Sequence, residues 1–242
     1  MGQYWKPVME DANGERVYVN THLWDNGYKF MEHSWIGNEV PGVVMYMVYQ
    51  TPMKVSWVGD YCDDPVCKDG PTGTDLYNDQ EALSLVNEKH IPGYMRDERL
   101  NEDKLYSISD EFVNMFDPEH IVNYNLVNHT KKEYLSMKEY MAELEGISWK
   151  MHPLPVLTAG PSMGFGGGDY YEDCATNWGR VGIWSWDIIS VEDVSDFIKV
   201  EKSPIDVVVN PMKKLLGIET NGKYSHYKKV DIKDYVFKEL RD

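Results

Sequence analysis

Val181-Gly182-Ile183-Trp184-Ser185-Trp186-Asp187-Ile188-Ile189-Ser190-Val191 is the run whose reading decides the fold. Ile183, Ser185, Asp187 and Ile189 fall on one side of a two-residue repeat, and Gly182, Trp184, Trp186 and Ile188 on the other. That period predicts a strand whose bulky residues face a core. Upstream, Met53 to Trp57 alternates in the same way and runs into the corner Gly59-Asp60-Tyr61. Arg16-Val17-Tyr18-Val19-Asn20 follows the turn pair Asn13-Gly14, which predicts an opening β-hairpin. Residues 121 to 137 read as a second hairpin around His129-Thr130-Lys131-Lys132, and Ile147 to Ala159, interrupted by Pro153 and Pro155, as an edge strand.

Between these strands lie a few helical stretches. Asn38 to Gln50 has a polar N-cap residue, Pro41 in the first turn and no breaker after Gly42. Lys138 to Glu145 is a brief helix ended by Gly146. Leu76, Leu83, Val86 and His90 share helical spacing, and Ser109-Asp110-Glu111 caps a short helix through Phe116. The expected class is α+β, an antiparallel or mixed β-sheet core with a few short helices, in a single domain over 1–242. Residues 59–117 read as an acidic helical and loop insertion or lid.

The chain carries 24 Lys+Arg against 40 Asp+Glu, a formal charge of −16. Gripping duplex nucleic acid or a lipid surface needs a basic face, so both partner classes are disfavoured. Much of the charge is regional. Gly59 to Asp117 holds 15 acidic and five basic residues, whereas Lys199 to Asp242 holds ten basic and seven acidic, so the two regions are expected to face each other. The most apolar window, Val40 to Val48, is under half a membrane span. Met1 to Pro7 has no secretion-signal pattern, and three cysteines, Cys62, Cys67 and Cys174, suit a reducing cytoplasm with unpaired thiols.

Two near-repeated corners stand out, Gly59-Asp60-Tyr61-Cys62-Asp63-Asp64 and Gly168-Asp169-Tyr170-Tyr171-Glu172-Asp173. Brought together, they would offer several carboxylate oxygens, the environment that Mg²⁺ or Ca²⁺ requires. Asp60, Asp63, Asp169 and Asp173, with His33 and His152, form the candidate metal set. The alternative is a pair of ordinary turns, since Gly and Asp are turn residues. Gly166-Gly167-Gly168 lets the backbone lie close to a ligand, but no P-loop Lys-Ser/Thr follows it, and a flexible connection is the default. Trp178, Trp184 and Trp186, near this loop, are the aromatic residues to test for ligand or partner contact, along with Asp60, Tyr61, Asp169 and Tyr170. No Gly-x-Ser-x-Gly elbow and no His-Glu-x-x-His spacing occurs.

The segments Met1-Gly2-Gln3-Tyr4, Met31-Glu32-His33-Ser34-Trp35-Ile36-Gly37-Asn38, Trp57-Val58-Gly59-Asp60-Tyr61, Asn128-His129-Thr130-Lys131-Lys132-Glu133-Tyr134, His152-Pro153-Leu154-Pro155 and Gly166-Gly167-Gly168-Asp169-Tyr170 resemble a scattered family of uncharacterised proteins from bacteria and their phages. The resemblance spans roughly residues 1 to 195 and departs at Pro161 to Phe165, where the family pattern is more polar. It carries no established activity and lends no catalytic residue. It implies phage or mobile-element origin, and the missing catalytic signature, the strong acidity and the aromatic content lead to the expectation of a cytoplasmic accessory protein that binds a host protein or small ligand, with counter-defence as one role. The rival expectation is a divalent-metal-dependent hydrolase or transferase built on the paired acidic corners.

Overall fold

Trp5–Glu10 (β1) reverses through the Asp11–Glu15 turn into Arg16–Tyr18 (β2), so the opening hairpin forms as its sequence predicts. Asp11 accepts the Asn13 and Glu15 amides at 2.8 Å each, which organises the turn. The computed structural model describes residues 2–24, 26–84, 114–115, 117–172, 177–197, 224 and 226–235. After a one-turn helix, Phe30–His33 (α1), comes Glu39–Gln50 (α2), which starts where Asn38 accepts the Val40 amide at 2.9 Å. Pro41 sits in the first turn, where an amide would have no intrahelical partner, and so does not break the helix.

The remaining elements are Met53–Gly59 (β3), Gly73–Tyr77 (α3), Leu83–Ser84 (β4), Tyr124–Asn128 (β5), Glu133–Ser136 (β6), Met137–Glu143 (α4), Pro153–Leu157 (α5), Asp187–Asp193 (β7) and Lys228–Lys229 (β8). They complete one eight-stranded sheet of order β4-β2-β1-β3-β7-β5-β6-β8. All pairs are antiparallel except the two-residue edges, β4 on β2 and β8 on β6, which are parallel. The fold is thus α+β with a mixed sheet. β7, late in the chain, pairs with β3 on one side and β5 on the other, joining an early half of the sheet to a later one.

Alternation sorts the side chains to two faces. Trp5, Met9, Val55, Trp57, Leu126, Ile189 and Val191 join α2 in the main core. The opposite face carries Val8 and Val58, packed with Val66, Leu76 and Trp186 in a smaller cluster. Glu10, also on that face, accepts Arg16 at 2.8 Å and Lys54 at 2.7 Å.

Three sequence expectations are corrected. The run 181–191 is a strand only from Asp187; Trp184 and Trp186 are buried as expected, but within β7 the faces are reversed, with Ile189 and Val191 buried and Ile188 41% exposed. Trp186 has φ +61° and donates its amide to the Val55 carbonyl at 2.7 Å, so the turn before β7 shifts the phase. Residues 147–159 are not an edge strand. Pro153 and Pro155 occupy the first turn of α5, where proline is tolerated, and only the single bridges Trp35 to Met151 and Trp57 to Ala159 are extended. Third, Leu76, Leu83, Val86 and His90 do not share one helix: Leu76 lies in α3, Leu83 opens β4, and residues 85–90 lie outside the described residues; of the helix expected from Ser109 through Phe116, only residues 114–115 are described, and they are helical. Among the described residues, the basic tail makes its contacts outside residues 59–84. Lys229 pairs with Glu139 at 2.8 Å, and Lys233 gives its carbonyl to Asn177.

Candidate functional site

The strip Gly2 to Trp5, which leads into β1, lies between the two Gly-Asp-Tyr corners. Tyr4 and Asp60 are joined by two hydrogen bonds: the Asp60 amide donates to the Tyr4 carbonyl at 3.0 Å, and the Tyr4 amide donates to the side-chain Oδ1 of Asp60 at 2.9 Å. One residue on, the Trp5 indole donates to Asp169 Oδ1 at 2.7 Å. Asp169 Oδ2 accepts the Gly164 and Gly166 amides at 3.2 and 2.9 Å. The Gln3 amide meets Ser162 Oγ at 2.6 Å and, with its oxygen toward that hydroxyl, its NH2 reaches Asp169 Oδ2 at 3.0 Å. Burial pushes the Asp169 carboxyl above its ordinary range, against the lowering effect of these donors.

The glycine loop is therefore a held element rather than a flexible connection. A Cβ on Gly166 would stand 2.6 Å from the Gln3 nitrogen, and Gly168, at φ +96°, lies against the Lys29 stem. These glycines serve the approach of the loop to the chain itself. Tyr170 is buried, its hydroxyl accepting Ser34 Oγ and Trp149 Nε1 at 3.2 Å each. Trp184 is also buried and donates to Glu133 at 2.7 Å, and Trp186 is 7% exposed. These three rings serve the core, not an open surface. Trp178 is half-buried beside Gly164.

The candidate metal set is spread over separate partners. Asp60 holds the Tyr4 amide, Asp63 accepts Thr74 Oγ1 at 2.9 Å, and Asp169 holds the loop. His33 Nδ1 meets the Gly27 carbonyl at 3.2 Å, and His152 Nδ1 accepts the Leu154 amide at 3.1 Å as the cap of α5. Asp173 lies outside the described residues. Among the described residues no three His, Cys, Asp or Glu side chains group to hold a metal ion.

What the corner does present is aromatic surface. Among the described residues, five large hydrophobic side chains are exposed, and four belong to segments that meet here: Tyr4 (48%), Tyr28 (38%), Tyr61 (45%) and Phe165 (73%). The Tyr28 carbonyl accepts the Trp5 amide at 2.7 Å, which fixes that segment beside β1. The Tyr4 and Tyr28 rings lie 5.4 Å apart, and His22 stacks on Tyr28 at 5.3 Å and 20°. Burial pushes the Tyr77 phenol up to about 12, reinforced by Asp60, Tyr28 and Tyr4, so Tyr77 belongs to the same cluster. The Lys6 ammonium lies 3.9 Å from the Tyr18 ring centre and 4.8 Å from that of Tyr77. Burial brings that ammonium down to about 8, and Asp79 opposes the shift.

Sequence reasoning found Asp60 and Tyr61 but missed Tyr4, His22, Tyr28, Tyr77 and Phe165. The available signal was compositional, 17 Tyr against six Phe, which marks rings that need a wet edge but not where they gather. It also missed a polar network on the outer face of β5 and β7. Ser190 Oγ donates to Glu192 at 2.8 Å, Tyr224 donates to the same carboxylate oxygen, and His129 bridges Ser190 at 2.7 Å and Tyr227 at 3.0 Å. A serine beside a histidine invites a nucleophile reading. Here the hydroxyl proton goes to Glu192, the carboxylate contacts serine rather than histidine, and Ser190 is 1% exposed. The network ties Tyr224 and Tyr227 to the sheet. No helix among the described residues is long and apolar enough to cross a membrane. No protein-family model, no curated protein and no solved structure matches the chain.

Proposed function

We propose that this protein is a cytoplasmic accessory protein of phage or mobile-element type that acts by binding a host protein through the aromatic corner at the start of β1. One observation carries the reading: four of the five exposed large hydrophobic side chains among the described residues belong to segments that meet at that corner. Exposed aromatic residues grouped on held backbone are the usual composition of an interaction hot spot, because they bury much area at little entropic cost. The backbone beneath is held by Asp60 and Asp169, so little ordering has to accompany association. The Gly-Asp-Tyr corners then act as scaffolding for the surface, with Asp60 and Tyr61 at its edge.

The test is affinity capture from host lysate with mass spectrometry of bound proteins and metabolites, run in parallel with Tyr28→Ala, Tyr61→Ala and Phe165→Ala. A partner held by the wild type and lost by at least two of the three folded variants supports the reading. A captured metabolite in place of a protein, or a partner indifferent to all three substitutions, overturns it.

A further inference from the structure

We infer that the aromatic corner takes an arginine side chain of its protein partner, with the Tyr4 and Tyr28 rings as the stacking platform and Asp60 as the counter-charge. This inference rests on the binding reading above and adds the chemistry of the group that is recognised. Three observations carry it. First, Tyr4 is joined through its backbone to Asp60, a carboxylate at the surface. Asp60 is tied by Oδ1 to the Tyr4 amide, so its carboxylate has a set orientation, and it is half-buried at the surface beside Tyr61. Among the described residues no cationic side chain pairs with it. Second, the neighbouring compartment of the cluster already holds a cation: Lys6 lies over Tyr18 and Tyr77. Among the described residues no Lys or Arg lies over Tyr4 or Tyr28, and His22 stacks on one face of Tyr28. Third, the flanking loop adds Asp63, Asp64 and Asp69, all exposed, in a chain of net charge −16, so the approach to the corner favours a positive group.

Arginine fits these features better than lysine. Its guanidinium is flat, so it can lie on a tyrosine face while its edge donates to a carboxylate, and it is shed from water more readily than an ammonium. An acidic or neutral apolar partner would leave Asp60 without a counter-charge at the point of closest contact.

The probes are three capped tripeptides, acetyl-Gly-Arg-Gly-amide, its lysine counterpart and its citrulline counterpart, titrated against protein with isotopically labelled tyrosine and followed by NMR. Citrulline keeps the shape of arginine and removes the charge. The arginine peptide is expected to shift the Tyr4 and Tyr28 ring signals saturably, and to bind at least about two- to fivefold more tightly than the citrulline peptide, the range for one exposed cation–π contact. Asp60→Asn should weaken arginine binding and leave citrulline binding unchanged, while the Tyr4 and Tyr28 signals keep their free-state positions. Equal binding of arginine and citrulline, lysine preferred over arginine, or no response at Tyr4 and Tyr28 overturns the inference. In partner capture, loss with Tyr28→Ala but retention with Asp60→Asn overturns the arginine assignment and leaves the binding reading intact. Indifference to Tyr28→Ala, Tyr61→Ala and Phe165→Ala together overturns the binding reading itself.

Discussion

His33 and His152 are fully enclosed, and each leaves its Nε2 without a hydrogen-bond partner. Burial lowers the His33 imidazole to about 4 and that of His152 to about 3, from an ordinary value of 6.5. Between those values and 6.5 the unfolded chain binds more protons than the folded one. Stability is therefore fully present above pH 6.5 and falls as pH drops through this window, by up to about 1.4 kcal/mol per pH unit for each histidine. Urea unfolding from pH 7 to pH 5 should show this slope, and His33→Gln and His152→Asn should each flatten it. The carboxylates lowered by ion pairs, Glu10 and Asp79, act in the same sense but only below their ordinary range, while the Asp169 carboxyl, raised by burial, acts in the opposite sense, so the change of slope in each histidine variant is what reports that histidine. An unchanged slope in both variants would contradict the assignment. Asp169 is the other decisive residue. An asparagine there keeps one acceptor for the Trp5 indole or the glycine amides, not both, so Asp169→Asn should cost about 1–3 kcal/mol in thermal or chemical unfolding.

At the scale of elements, helix starts were legible because their chemistry is local. Asn38 caps α2 through a bond to a residue two positions on, which any reading of the sequence can anticipate. Asn38→Ala should cost about 1 kcal/mol, a fall in Tm of about 2–4 °C for a chain of this size, measurable by calorimetry. Residues 153–157 were misread for a related reason. Two prolines exclude a central strand, yet they are compatible both with an edge strand and with a first helical turn, and the choice rests on His152 accepting the Leu154 amide. The reversed faces of β7 follow from Trp186, whose left-handed φ interrupts the two-residue repeat, so residues before and after it do not share one alternation. Edge protection is also an element-scale feature: β4 and β8 are two residues long, and β8 is a pair of exposed lysines, which disfavours pairing with another sheet.

At the scale of the whole molecule, the charge is the property with a measurable consequence. If the acidic residues steer a basic partner, the association rate should fall steeply as salt rises, because the Debye length shrinks from about 10 Å at 0.1 M to about 3 Å at 1 M. Replacing Asp97, Glu98, Glu102 and Asp103, which lie outside the described residues, with their amides should lower that rate while altering stability by less than about 0.5 kcal/mol per site. Stopped-flow association across salt checks both; rates that do not change would assign the acidity to solubility alone. Cys62 and Cys67 are unpaired thiols, and titration of denatured protein without reductant should count three in all, Cys174 included.

The sequence by itself determined the α+β class, the opening hairpin, α2 with its cap, β3 and the β5–β6 hairpin. Each depends on periodicity or capping within a dozen residues, and such short-range preferences are written in neighbouring side chains. Only the tertiary structure decided that β7 pairs between β3 and β5, that Asp169 serves the Trp5 indole while Asp60 stays at the surface, and that Tyr4, Tyr28, Tyr61 and Phe165 belong to segments that meet at one corner. The contacts among these residues span from 24 positions of chain, Tyr4 to Tyr28, to 164, Trp5 to Asp169. No local preference encodes such distances, because they follow from which strands pair and which faces the paired sheet must bury.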